Sequence, residues 1–161
     1  MNPVFEQIQA MLRDAGLEFK HLHHPPTPTS EDSARVRGEP LAIGGKALSM
    51  RADGRAVLLV LSAARRFNSK RFRRQIGVRK LRFLTPEELR EATGLVSGSV
   101  PPFGPPVLPF ELFIDGSIFA NPRIAFNAGS LEDSIILERR DYLSVVGEHT
   151  RVEVTDPSPP R

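Results

Sequence analysis

The sequence predicts an α+β domain built around a largely antiparallel or mixed sheet. Three observations predict it. Strand-like runs meet at Asp53-Gly54 and Asp115-Gly116, dipeptides that favour hairpin turns. The run Val57-Leu58-Leu59-Val60-Leu61 is continuously apolar, as suits a central strand buried on both faces. Short segments with helix caps alternate with these runs.

Asn2 and Pro3 suit the start of a first helix, and Val4, Ile8, Met11, Leu12 and Ala15 follow helical spacing up to Gly16. Residues 19–23 alternate like a short strand and lead into the stiff connector Pro25-Pro26-Thr27-Pro28. Thr29 or Ser30 caps a short helix with Glu31 and Asp32 in its first turn, ending near Arg37-Gly38. Residues 42–50 and 55–62 form the clearest hairpin. A helix starts near Asn68 or Ser69, and another at Thr85-Pro86-Glu87-Glu88, ending at Gly94. Residues 110–114 and 117–120 read as a second hairpin across Asp115-Gly116. Further strands are expected at 123–127 and 134–137, and a last helix at 139–146.

A chain of 161 residues with 40% hydrophobic content suits one domain with a sizeable core. That domain is expected over 1–149. The Pro-rich, charged tail at 150–161 is expected to be disordered. No segment is long and apolar enough to cross a membrane, and Met1-Asn2-Pro3 runs into the first helix without a basic-then-apolar leader. The absence of cysteine excludes disulfides, zinc–thiolate sites and cysteine nucleophiles. A cytoplasmic protein without a membrane partner is the expectation.

The net charge of +3 is unevenly spread. Segment 65–82 holds Arg65, Arg66, Lys70, Arg71, Arg73, Arg74, Arg79, Lys80 and Arg82, with no acidic residue. Such a block is an electrostatic footprint for nucleic-acid phosphates, contacted without regard to sequence. The alternative is a solvated basic helix face.

Two segments carry the candidate chemistry. Lys46 lies in the apolar run Ile43-Gly44-Gly45-Lys46-Ala47-Leu48. A buried ammonium requires an anion or a cavity, whereas a lysine on an edge strand simply reaches water. The Gly44-Gly45 pair favours the first, because strand glycines mark close approach by a ligand or another backbone. It is not a phosphate-binding P-loop, since Pro40 and Ala47 stand where that motif needs glycine and Ser/Thr. The second segment is Gly98-Ser99-Val100-Pro101-Pro102-Phe103-Gly104. A stiff Gly/Pro loop can aim backbone N–H groups at a developing oxyanion, or merely connect two elements. Only Gly98, Ser99, Val100, Phe103 and Gly104 have an N–H to give.

The other polar candidates carry weaker signals. His21 and His23 share a strand face beside His24, but no nearby acid completes a metal set, so no metal or cofactor is expected. Ser97 and Ser99 lie outside any Gly-x-Ser-x-Gly elbow. Asn127 ends a strand-like run before Gly129, as a turn residue or as a pocket amide reading a polar substrate group.

Taken in order, residues 29–38, then Gly45-Lys46-Ala47-Leu48, then the 98–104 loop, then Phe126-Asn127-Ala128-Gly129, resemble the YbaK/ProX family of aminoacyl-tRNA deacylases. These are free-standing relatives of the editing domain inserted in bacterial prolyl-tRNA synthetases. The resemblance covers roughly 4–146. It implies an α+β fold with a central mixed, barrel-like sheet flanked by helices. It implies trans-editing, the hydrolysis of the ester joining a wrong, small amino acid (alanine, serine or threonine) to the 3′-terminal adenosine of tRNA. Lys46 then engages the terminal nucleotide. The backbone of Gly98, Ser99, Val100, Pro101 and Pro102 positions the aminoacyl group and water, with the tRNA 2′-hydroxyl assisting. Thr29, Ser30, Asn127 and Gly129 are the implied substrate-binding residues. Arg65, Arg66, Lys70, Arg71, Arg73 and Arg74 are expected to hold tRNA phosphates. Pro101 stands where several relatives carry serine, and Asn127 where alanine-specific members carry histidine. The alternative function is a non-catalytic tRNA-binding module of the same fold. The partners implied are aminoacyl-tRNA and, as an open alternative, an aminoacyl-tRNA synthetase.

Overall fold

A computed structural model describes residues 2–158; Met1 and the tail residues 159–161 lie outside the described residues. Helix α1 (Pro3–Asp14) begins where the sequence predicts, with Asn2 Oδ1 accepting from Val4 N at 3.0 Å and Phe5 N at 3.4 Å. Strand β1 (Lys20–His23) precedes α2 (Ser30–Arg37), which Thr29 caps through Asp32 N at 3.1 Å and left-handed Gly38 ends. Strands β2 (Gly45–Ala52) and β3 (Arg55–Ser62) form the expected antiparallel hairpin. Residues 42–44 are not part of it: a 3₁₀ turn, Leu41–Ile43, leads into β2 instead. Strand β4 (Arg65–Phe67), helix α3 (Ser69–Ile76), strand β5 (Leu81–Phe83) and helix α4 (Pro86–Thr93) follow. Thr85 and Glu88 close a capping box on α4.

The second expected hairpin does not form. Strand β6 (Glu111–Asp115) is followed by a single helical turn, α5 (Gly116–Phe119). Asp115 caps this turn, its Oδ2 accepting from Ser117 N at 3.0 Å. An Asp-Gly pair serves a tight turn or a helix N-terminus equally well, and here β6 finds its neighbours elsewhere. Strands β7 (Arg123–Asn127) and β8 (Asp133–Glu138) then pair antiparallel, and α6 (Arg139–Val145) follows.

The tail is ordered through residue 157, against expectation. It forms β9 (Thr150–Val152), parallel to β6, and β10 (Thr155–Pro157), antiparallel to β4. Its polar composition conceals two buried valines, Val152 and Val154. Val154 N and Thr155 Oγ1 also donate to the buried Asp115 carboxylate at 2.7 and 2.8 Å.

The large sheet has the order β5-β2-β3-β6-β9, and a second sheet has the order β1-β8-β7. A single parallel bridge, Gly44 to Ala125, joins β7 to the approach of β2, so the central mixed sheet is open rather than barrel-like. Strand β3 is buried on both faces, as its apolar run predicts. Leu58 and Val60 face the main core with Ile8, Leu12, Phe126 and Tyr142. Val57, Leu59 and Leu61 face a second core under Phe72 of α3.

Candidate active site

The two sheets meet at Gly44-Gly45, and a cleft of about 420 Å³ opens beside that seam. A Cβ at Gly45 would stand 2.7 Å from Ile124 Cδ1 of β7. Gly45 therefore admits another strand at this point, while both glycines also border the cleft. Thr27, Thr29, Ser30 and Ser33 line one wall, Lys46 and Leu48 another, and Gly98, Val100 and Asn127 a third. The structure thus brings Lys46, Gly98, Val100, Thr29, Ser30 and Asn127 together from four separate stretches of chain.

Lys46 is exposed rather than buried. Its pairing partner in β3 is Leu61, and its ammonium makes no ion pair among the described residues. The loop behind Gly98 is held firmly. Gly98 itself has φ of 87°, a conformation that glycine adopts without strain. Val100 and Phe103 sit in the main core, and the Phe103 ring meets Phe126 and Tyr142 edge-on at 5.6 and 5.5 Å. The Tyr142 hydroxyl donates to Pro102 O at 2.6 Å, and burial keeps that phenol protonated far above its ordinary range.

These anchors decide which loop atoms are free. Ser99 N donates to Val96 O at 3.1 Å, and Phe103 N to Pro101 O at 2.9 Å. The N–H groups of Gly98 and Val100, both on the cleft wall, donate to no protein acceptor among the described residues. Ser99, Pro101 and Pro102 are buried and do not line the cleft. The Ser99 hydroxyl donates to Val96 O at 2.7 Å. Gly129 lies off the cleft too: its N–H donates to Ser99 O at 2.9 Å and its carbonyl accepts from Asn2 Nδ2. Thr29 is on the wall, but its hydroxyl is engaged in capping α2 and in donating to Asp32 at 2.8 Å.

Arg37 is the residue that sequence reasoning missed. It lines the cleft from the last turn of α2. Its Nε donates to Ser134 Oγ at 2.9 Å and its NH2 to Asn127 Oδ1 at 3.0 Å. Burial pulls its guanidinium down from the usual value to about 10, so it remains charged at neutral pH. No carboxylate stands within ion-pair distance of it among the described residues. With its Oδ1 fixed by Arg37, Asn127 turns its Nδ2 to Gly98 O at 2.9 Å. Ser134 Oγ also lies 2.7 Å from His24 Nε2, whose other ring nitrogen meets Pro25 O at 2.8 Å. A polar chain therefore runs from His24 through Ser134, Arg37 and Asn127 to the Gly98 loop.

The histidine pair has the acid that the local sequence lacks. Asp133 of β8 places Oδ1 2.9 Å from both His21 Nε2 and His23 Nδ1. Burial raises the Asp133 carboxyl, but hydrogen bonds from His23 and His21 outweigh it and hold the net value low. His23 is raised in turn, first by its hydrogen bond to Asp133 and then by that charge. Neither histidine lines the cleft.

The basic block is divided. Arg65 donates to Thr155 Oγ1 at 3.1 Å and Thr155 O at 3.0 Å, while Arg71 pairs with Asp156 at 3.1 Å. Both secure the tail strand β10. Arg82 grips Glu88 with two bonds, of 2.7 and 3.0 Å. Arg66, Lys70, Arg73 and Arg74 reach the surface without an ion-pair partner among the described residues.

Residues 24–145 match the family described as the aminoacyl-tRNA editing domain. The chain belongs to that family. Editing is hydrolysis of the aminoacyl ester, so its enzyme class is aminoacyl-tRNA deacylase. It is 33% identical over 146 residues to the multifunctional Ser/Thr-tRNA deacylase ProXp-y of Escherichia coli, covering 87% of this chain and 86% of that protein. It is 26% identical over 145 residues to the proline–tRNA ligase of Bacillus licheniformis, spanning 88% of this chain but 25% of the ligase. A crystal structure described as a candidate trans-editing enzyme for prolyl-tRNA synthetase superposes with a TM-score of 0.82 at 25% identity, covering 97% of this chain and 99% of its own. No helix is long and apolar enough to cross a membrane among the described residues.

Proposed function

We propose that this editing domain acts in trans, releasing a wrongly attached small amino acid of the serine or threonine class from the 3′ end of tRNA. The observation that carries the reading is the meeting of Lys46 with the uncommitted N–H groups of Gly98 and Val100 across one cleft. No histidine lines that cleft to activate a serine nucleophile, so attack falls to water. Water oxygen adds to the ester carbonyl carbon, and the two N–H groups receive the oxyanion. The bond to the 3′-oxygen then breaks, and the water proton passes to that oxygen with the adjacent 2′-hydroxyl as relay. Lys46 holds the terminal nucleotide by its charge. An activated ester needs positioning more than it needs a strong base, which suits a site of this kind.

Amino-acid choice follows from the cleft wall. Thr27, Thr29, Ser30 and Ser33 make it polar, and Gly44, Gly45, Ala47 and Ala34 keep it free of bulk. Ser30, whose hydroxyl makes no hydrogen bond among the described residues, offers a hydroxyl-bearing side chain a partner that alanine cannot use. ProXp-y, named for Ser/Thr-tRNA deacylation, supports the same choice. Asn127 and Arg37 act as positioning residues for the Gly98 loop. Pro101 lies off the cleft wall, so its lack of a hydroxyl is no obstacle to turnover.

The test is a deacylation panel with Ser-, Thr-, Ala-, Cys- and Pro-tRNA and Lys46→Ala as control. Lysine-dependent release of serine or threonine, faster than alanine, is expected. Retained tRNA binding with no release from any of them would favour the non-catalytic module instead.

A further inference from the structure

Phe83, at 56% exposure, is the most exposed large hydrophobic residue among those described, and nothing in the hydrolytic reading uses it. It ends β5 directly opposite Met50 of β2. Residues opposite one another in a ladder project from the same face of the sheet, as do alternate residues along a strand. Lys46, Leu48, Met50 and Phe83 therefore share one face, the face that α3 covers in part. Leu48 lines the cleft and also packs on the core beneath α3, as does Phe67. The Phe67 ring lies 6.3 Å from that of Phe83 at an angle of 67°, bracing it while leaving it largely open to solvent.

One face of the sheet thus leads from Lys46 at the cleft past Leu48 and the buried Met50 to Phe83, which the Phe67 ring backs. Four residue steps along the strand lead from Lys46 to Met50, a path of roughly 13 Å at ~3.3 Å per residue. That is about the reach of a short unpaired 3′ end at ~3.4 Å per stacked nucleotide. The charge of the neighbouring helix suits a polyanion. Lys70, in the first turn of α3, has no ion-pair partner among the described residues, and the acids Glu88 and Asp156 are held by Arg82 and Arg71. An apolar ring beside such a helix fits a nucleotide, which offers a π-face and a phosphate together.

We propose that Phe83, backed by Phe67, is the stacking platform for an unpaired base of the tRNA 3′ end, upstream of the aminoacylated adenosine in the cleft. This rests on the aminoacyl-tRNA reading of that cleft and extends it to the neighbouring nucleotides.

Two variants test it. Phe83→Ala is expected to raise KM for full-length aminoacyl-tRNA about 5- to 150-fold, the range that loss of one base–aromatic stack predicts. The penalty with 3′-aminoacyl-adenosine, which has no upstream base, is expected to be at least about fivefold smaller. Equal penalties on the two substrates, or no penalty, would overturn the platform. The second variant exploits the absence of tryptophan from the chain. Phe83→Trp makes the sole indole, and its fluorescence is expected to be quenched by uncharged tRNA but not by tRNA trimmed of its unpaired 3′ end. Equal quenching by both, or none at saturation, would overturn the proposal. Loss of binding to a synthetase with tRNA KM unaltered would assign the patch to a protein partner and overturn it too. The quenching readout needs no turnover, so it stands even if the hydrolytic reading fails.

Discussion

Among the described residues Lys46 and Arg37 in the cleft have no carboxylate within ion-pair distance, whereas in the basic segment Arg71 and Arg82 pair with Asp156 and Glu88, and Arg65 is held by Thr155. The cleft has few cations, presented by a braced frame. The 65–82 segment has many, and a third of them are already occupied with holding the tail and α4. The number of like charges in a sequence therefore says less about a binding site than the partners those charges meet after folding. An uncompensated cation beside uncommitted N–H groups is a stronger sign of a built anion site than a dense run along a helix.

The sharpest way to break this contrast is Lys46→Ala. Deacylation kcat/KM should fall about 10²- to 10³-fold, the usual cost of a lost transition-state contact, with Tm unchanged because the side chain is exposed. An unaltered rate would remove Lys46 from the site. Next comes the frame. Tyr142→Phe leaves the buried Pro102 carbonyl without its donor, and a loss of about 1–3 kcal/mol in unfolding free energy is expected by denaturant titration. Asn127→Ala frees Gly98 O and should lower kcat more than it raises KM, by roughly tenfold for ~1.4 kcal/mol of lost positioning.

The basic segment gives a smaller effect and sharpens the comparison. Replacing Lys70 and Arg74 by glutamine should reduce tRNA affinity and lower the slope of log affinity against log salt by about one to two. Arg71→Ala should instead loosen the tail strand, read as faster amide exchange at Thr155 and Asp156. If both substitutions act on tRNA alike, the division of the block is wrong. The smallest expected effect belongs to His23. Its folded value lies above 6.5 because of Asp133, so the stability it contributes is complete below pH 6.5 and is lost as pH rises through the folded value. A slight fall in Tm above that point, absent in Asp133→Asn, would show it.

Much of the site was legible because its signals are local. A lysine after two glycines, and a Gly/Pro loop, announce themselves in a few residues, and both reach the cleft. Arg37 was not legible. A cation in the last turn of a helix ordinarily complements the helix dipole, and only Ser134 and Asn127, about 90 residues on, reveal its position. Ser99, Pro101 and Pro102 shared the loop's signal but not its exposed face, since sequence alone does not say which atoms of a rigid loop are occupied in holding it rigid. The same limit explains the tail and α5. Asp115 looks like half of a hairpin turn, yet it caps α5 and receives Val154 and Thr155 from the C-terminal strand segment. Strand β3 was read correctly because burial on both faces leaves its mark within the strand itself.

The narrow gap between Gly45 and Ile124 ties the two sheets together one side chain away from Lys46. A methyl at position 45 meets Ile124 Cδ1 at 2.7 Å and Cγ1 at 2.9 Å, and Ile124→Val removes only the first of these atoms. Gly45→Ala is therefore harmful, and adding Ile124→Val relieves it only in part. The two positions, 79 residues apart, are bound to change as partners, and a substitution deep in β7 can reset the height of a lysine it never touches.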